Sequence, residues 1–122
     1  MQFRSMDAAR PPASDLIEAM VAELLPLYGR IDGPDSPRAT PDVFAPPHGT
    51  FLVGFDEQGE PICGGGVKRL DDGVCEIKRM YVVPSARGRG VARELLGALE
   101  DAARALGYTL VRLDTGPQQP HA

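Results

Sequence analysis

Glu76-Ile77-Lys78-Arg79-Met80-Tyr81-Val82-Val83-Pro84-Ser85-Ala86-Arg87-Gly88-Arg89-Gly90-Val91-Ala92, followed by a helical run to Leu106, is the stretch on which the fold turns. The segment from Val74 to Val83 is rich in Val, Ile, Tyr and Met and lacks helical spacing, so it reads as a strand. Pro84 ends it, because proline has no N–H to give to a ladder. Val91, Leu95, Leu99, Ala102 and Leu106 then fall on one face of a 3.6-residue period, and Arg93, Glu94, Glu100, Asp101 and Arg104 take much of the rest. Gly107 is a natural left-handed stop. Tyr108 to Leu113 reads as the next strand, which completes a right-handed βαβ unit with two parallel strands.

The loop between strand and helix carries the chemistry. Gly88 and Gly90 allow positive φ and a close approach of ligand to backbone. Arg87, Arg89 and Arg93 add positive charge beside a helix N-terminus, whose free N–H groups already favour an anion. The natural guest is a phosphate or pyrophosphate; the plainer reading is a glycine turn with solvated arginines. Two other phosphate motifs are excluded. No Gly-Lys-Ser/Thr is present, so this is not a P-loop, and Arg93 stands where the dinucleotide fingerprint needs glycine.

Arg87-x-x-Gly90-x-Ala92 resembles the Arg/Gln-x-x-Gly-x-Gly/Ala acyl-CoA loop of the GNAT N-acetyltransferase superfamily. Val82-Val83-Pro84 before it and Leu95-Leu96 and Leu99-Glu100 after it are similar to that family too. The resemblance runs from about residue 50 to the C-terminus and more loosely to the N-terminal helix. It implies an N-acetyltransferase that uses acetyl-CoA as cosubstrate and a small-molecule or peptide amine as acceptor. It implies that Met80, Tyr81 and Val82 pair with the pantetheine arm, and that a backbone N–H near Met80 faces the thioester carbonyl. Arg87, Gly88, Arg89, Gly90, Val91, Ala92 and Arg93 would hold the pyrophosphate. Glu76 stands where some members carry a general-base glutamate. The plainer reading of Glu76 is a solvated carboxylate paired with Lys78 or Arg69.

At 122 residues the chain is one domain at most, with enough length for one core. Its net charge of −4 argues against a general nucleic-acid surface. The basic residues from Lys78 to Arg93 form a local patch on an acidic chain, as a small anionic ligand requires. No apolar run is long enough to span a membrane, and the N-terminus lacks a signal pattern. Cys63 and Cys75 have neither metal spacing nor a His partner, and read as reduced residues of a cytoplasmic protein. His48 and His121 are isolated in Pro/Gly-rich sequence, so no metal site is expected.

Working outward, Gln2-Phe3-Arg4 is a short candidate first strand. Ser14 is the expected N-cap of a helix from Asp15 to about Leu25, with Leu16, Ile17, Met20, Val21, Leu24 and Leu25 as its apolar face and Pro26 as its limit. Tyr28 is a candidate substrate contact by the resemblance. In the Pro/Gly-rich segment from Ile31 to Gly49, only Thr40-Pro41-Asp42-Val43-Phe44 suggests a short helix. Thr50–Phe55 and Pro61–Leu70 read as strands. Gly64-Gly65-Gly66 inside the second suggests either a bulge or a small-residue surface beneath a helix. Asp71-Asp72-Gly73 reads as a hairpin turn. The expected fold is therefore α+β: an antiparallel meander, then a parallel βαβ unit, with helices on both faces of a mixed sheet.

The sequence departs from the family pattern at Pro120-His121-Ala122, where GNAT domains normally continue with a helix and a hairpin. Residues 1–122 are thus expected to form one GNAT-like domain that is incomplete at the C-terminus, with an uncovered sheet edge through which a homodimer forms. Two rival functions stand beside acetyl transfer. One is a GNAT-like domain that binds CoA or a partner protein without turnover. The other is an aspartic-protease-type loop at Asp114-Thr115-Gly116, which has too little chain after it to build that site.

Overall fold

The computed structural model describes residues 1–28 and 41–113. The order of elements is β1 (Gln2–Ser5), α1 (Ala13–Tyr28), a 3₁₀ turn (Pro41–Phe44), β2 (Thr50–Phe55), β3 (Pro61–Asp71), β4 (Val74–Val82), a second 3₁₀ turn (Pro84–Ala86), α2 (Val91–Ala105) and β5 (Leu110–Leu113). The strands form one five-stranded sheet in the order β1-β2-β3-β4-β5. Pairing is antiparallel from β1 to β4 and parallel between β4 and β5. This is the α+β mixed sheet expected from the sequence.

The two helices bury opposite faces of the sheet. Val91, Leu95, Leu99 and Ala103 of α2 pack with Cys63, Val67, Cys75 and Ile77. Ala13, Leu16 and Met20 of α1 pack with Phe44, Phe51, Val53 and Tyr81. Phe44 meets Phe51 edge to face at 5.7 Å, a geometry that suits the ring quadrupoles.

Both readings of the glycine triplet hold. A Cβ built on Gly65 would lie 2.7 Å from Leu99 Cδ1. One on Gly64 would lie 3.2 Å from Leu16 Cδ1, and one on Gly66 2.4 Å from Phe44. The triplet is therefore the small surface on which both helices and the 3₁₀ turn are seated. It also lies against a bulge. Gly64 is opposite Tyr81 and Gly66 opposite Lys78, so Gly65 alone opposes Arg79 and Met80. The extra residue is on β4, and Arg79 takes it up with φ 61.

Both limits of α1 differ from those expected. Ser14 is not the N-cap of α1, which begins at Ala13. Ser14 N–H already bonds to Arg10 O, and Leu16 N–H to Pro12 O, so the helical bonding starts ahead of the serine. Pro26 does not end α1, which runs on to Tyr28. Proline's fixed φ is itself helical, and what it removes is one hydrogen bond. At the other helix, Gly107 (φ 97) ends α2 as expected. Tyr108 N–H bonds to Ala103 O and Gly107 N–H to Arg104 O, the paired bonds of a Schellman stop. Asp114-Thr115-Gly116 lies outside the described residues.

Candidate functional site

β5 pairs with only the first part of β4. Its register runs from Val74↔Leu110 to Ile77↔Leu113. Among the described residues, no strand pairs with Lys78–Val82 on that side. Val83 N–H bonds to Ile62 O of β3, so the alternation of an antiparallel ladder turns the N–H and C=O of Val82 the other way, toward the open edge.

The bulge decides which side chains surround that edge. Cys75 and Ile77 are buried against α2, so Glu76 and Lys78 point to the α1 face. Without the extra residue, Tyr81 would fall on the α2 face. With it, Tyr81 packs in the α1 cluster while Met80 and Val82 pack toward α2. Glu76 is half-buried between two cations, with Lys68 its cross-strand partner on β3 and Arg112 on β5. Of Lys78 and Arg69, the two partners suggested from sequence, Arg69 is engaged in an ion pair with Asp72.

Beyond the open edge lies the glycine loop. Gly88 and Gly90 have φ 80 and 79, and a Cβ on either would meet nothing within 4 Å. Their backbone is left-handed and faces open space, so a ligand can approach without displacing protein. Gly90 occupies the N-cap of α2, and no side chain caps the helix there. Glu94 N–H bonds back to Gly90 O, while the N–H groups of Val91, Ala92 and Arg93 have no acceptor within the helix. Val91 is buried, whereas Ala92 and Arg93 are exposed, so the first turn presents backbone donors and one cation. An uncapped helix start with charge beside it is an anion site by electrostatics alone.

The three loop arginines do not play one role. Arg89 bonds through Nη2 to Ser85 O at 2.8 Å. Arg87 donates from Nε to Val82 O at 2.9 Å. Its Nη2 reaches both carboxylate oxygens of Glu23 on α1, at 2.8 and 2.7 Å. Its guanidinium also lies 5.5 Å from the centre of the Tyr81 ring. Burial, and then the Glu23 carboxylate, push the Tyr81 phenol above its usual range. Glu23 was not singled out from sequence, because nothing in its local sequence distinguishes it from Asp15 or Glu18, the other acids of α1.

Elsewhere, a hollow of about 230 Å³ is lined by His48, Arg69, Asp72, Gly73, Leu106, Gly107 and Tyr108, at the end of β4 away from the glycine loop. Tyr108 joins two of its walls by donating to His48 O at 2.5 Å. Cys63 and Cys75 are buried free thiols. Among the described residues, no three His, Cys, Asp or Glu side chains gather in a group that could hold a metal ion, and no helix is long and apolar enough to cross a membrane.

A mixed sheet with an open strand edge, and an uncapped helix aimed past it, is the frame of an acyl-CoA N-acyltransferase. The acetyltransferase (GNAT) family model matches residues 17–122. The chain is 33% identical over 113 residues to the IAA acetyltransferase of Azospirillum brasilense, covering 92% of this chain and 74% of that one. It is 32% identical over 117 residues to an uncharacterised N-acetyltransferase of Schizosaccharomyces pombe, covering 91% and 72%. The chain belongs to the GNAT acetyltransferase family, whose members take the acetyl group from acetyl-CoA. Its fold superposes on an acyl-CoA N-acyltransferase structure from Klebsiella pneumoniae with a TM-score of 0.75 at 27% identity, over 97% of this chain and 73% of that one. An aminoglycoside 6′-N-acetyltransferase solved with coenzyme A shares the fold, with a TM-score of 0.68 at 19% identity over 94% of this chain and 62% of that one.

Proposed function

We propose that this chain transfers the acetyl group of acetyl-CoA to a primary amine by direct attack within a ternary complex. The observation that carries the reading is the open edge of β4 beyond Ile77, set beside the uncapped, glycine-led start of α2. In this reading the strand backbone at Met80, Tyr81 and Val82 holds the pantetheine arm. A backbone N–H near Met80 stabilises the oxyanion that develops on the thioester carbonyl. Gly88, Gly90 and the N–H groups of Val91, Ala92 and Arg93 hold the pyrophosphate, with charge from Arg89 and Arg93. Arg87 acts as a strut of the loop, since Glu23 and Val82 already engage it.

Glu76 is the proposed general base. It takes one proton from the ammonium, directly or through water; the free amine then forms the C–N bond as the C–S bond breaks, and the second proton shed by the nitrogen neutralises the departing CoA thiolate. No Cys–His or Ser–His arrangement among the described residues suggests a covalent route. Burial pushes the Cys63 thiol up to about 11, away from nucleophilic use.

A thiol-release assay with acetyl-CoA and a panel of amines tests the reading. Glu76→Gln is expected to lower kcat by about 10²-fold or more while leaving acetyl-CoA affinity unchanged. Acetyl-CoA binding with no thiol release for any amine would replace this reading with a non-catalytic binding domain.

A further inference from the structure

We propose that Glu23, on α1, is a positioning residue for the loop at the start of α2 and acts through Arg87. The inference rests on the reading that this loop grips the pyrophosphate of acetyl-CoA.

Arg87 begins the loop, immediately after the second 3₁₀ turn, and its own N–H bonds to Pro84 O at 3.3 Å. Its side chain turns away from the glycines. Nε takes the carbonyl of Val82, at the end of β4. Nη2 is held between the two oxygens of Glu23. The guanidinium carbon lies over the Tyr81 ring. Partners of three kinds therefore fix one cation: a strand carbonyl, a helix carboxylate and a buried aromatic. Tyr81 is itself held among Leu16, Met20 and Phe51. The residue that follows Arg87 is Gly88, with φ 80 and no neighbour on its open side. Arg87 is thus the last firmly tied residue before a stretch that depends on glycine.

The pair itself is a weak stabiliser of the fold, because Arg87 and Glu23 keep side-chain exposures of 45% and 40%. Its effect is local. A loop already held in its binding geometry loses less entropy when it closes on a ligand. Glu23 also offsets Arg87, so the charge that faces the ligand comes from Arg89, Arg93 and the helix start. The arrangement ties α1 to the cosubstrate loop across 64 residues of sequence.

The test compares the unsubstituted chain with Glu23→Gln, Glu23→Asp and Glu18→Gln. Glu18 is exposed on the same helix, so Glu18→Gln makes the same change in net charge without touching Arg87. Acetyl-CoA affinity is read by calorimetry, and amide hydrogen exchange of residues 85–91 is read in the free protein. Glu23→Gln is expected to weaken acetyl-CoA about fivefold, the scale of one well-formed exposed ion pair, and to speed loop exchange by a similar factor. Glu23→Asp should recover part of both, and Glu18→Gln should change neither. Unchanged or tighter binding by Glu23→Gln, with exchange unaltered, would overturn the inference while leaving the cosubstrate reading intact. No binding by the unsubstituted chain would overturn the reading of the loop, and this inference with it.

Discussion

Glu76 and Tyr81 lie on the same face of the sheet although they stand an odd step, i and i+5, apart along β4. Alternation about the buried Cys75 and Ile77 puts Glu76 on the α1 side, and Tyr81 packs in the α1 cluster. The reversal is made at Arg79, where φ is 61 and Gly65 opposes two residues. A single extra residue therefore brings the ring beneath Arg87 onto the face that already carries the proposed base.

Arg79 is the place to test that control. A β-branched residue at positive φ is strained by about 1–3 kcal/mol, whereas glycine is not. Arg79→Val should lower the thermal midpoint and weaken acetyl-CoA binding, while Arg79→Gly should keep both the fold and the binding. Equal melting of the two variants would mean that the bulge does not depend on this backbone conformation.

Gly65 offers a prediction against strand propensity. Propensity alone favours valine over glycine in a strand by up to about 1 kcal/mol. Here a Cβ already falls 2.7 Å from Leu99 Cδ1 and 3.2 Å from Met80 Cγ. Overpacking should win, so Gly65→Val should destabilise by about 1–3 kcal/mol in urea unfolding. Leu99→Ala alone should cost about 2–5 kcal/mol, and the double variant less than the sum of the two. A stabilised Gly65→Val would show that α2 does not sit on this glycine.

Alkaline pH should loosen the fold. Burial raises the Cys63 thiol from 9.0 to about 11 in the folded chain. Between those values the folded state keeps a proton that the unfolded state has lost, so stability falls as pH rises. It is fully present below pH 9 and is lost as pH climbs through about 11. Burial also raises Cys75, Tyr81 and Tyr108, which adds to the same trend. The urea midpoint should therefore drop across this window, and Cys63→Ala should flatten the drop. A midpoint that rises with pH would contradict the burial of these groups.

Much of the frame was legible in the sequence because it depends on local rules. Val91, Leu95 and Leu99 mark the helix face by period, Asp72-Gly73 marks the hairpin, and Gly107 marks the helix stop. The bulge was half legible. The glycine triplet pointed to it, but the irregular residue is Arg79 on the facing strand, and nothing about an arginine announces positive φ. The loop was legible as an anion site, yet its arginines were read as equivalent. What separates Arg87 from Arg89 and Arg93 is Glu23, a contact made only after α1 has packed on the sheet. Ser14 misled because the bonds of Ser14 N–H to Arg10 O and Leu16 N–H to Pro12 O start the helix ahead of it, and Pro26 because proline's fixed φ is itself helical, so α1 runs on to Tyr28.

The most direct test of the central claim is an acetyl-CoA titration by calorimetry on this chain and on Gly90→Glu. Gly90 has φ 79 and open space above it, so a side chain there costs about 1–2 kcal/mol of backbone strain while placing a carboxylate at the helix start. The account predicts saturable binding by the unsubstituted chain and none by Gly90→Glu, with both melting cooperatively. Equal affinity in the two proteins would contradict it, because the start of α2 would then not be where the cosubstrate is held.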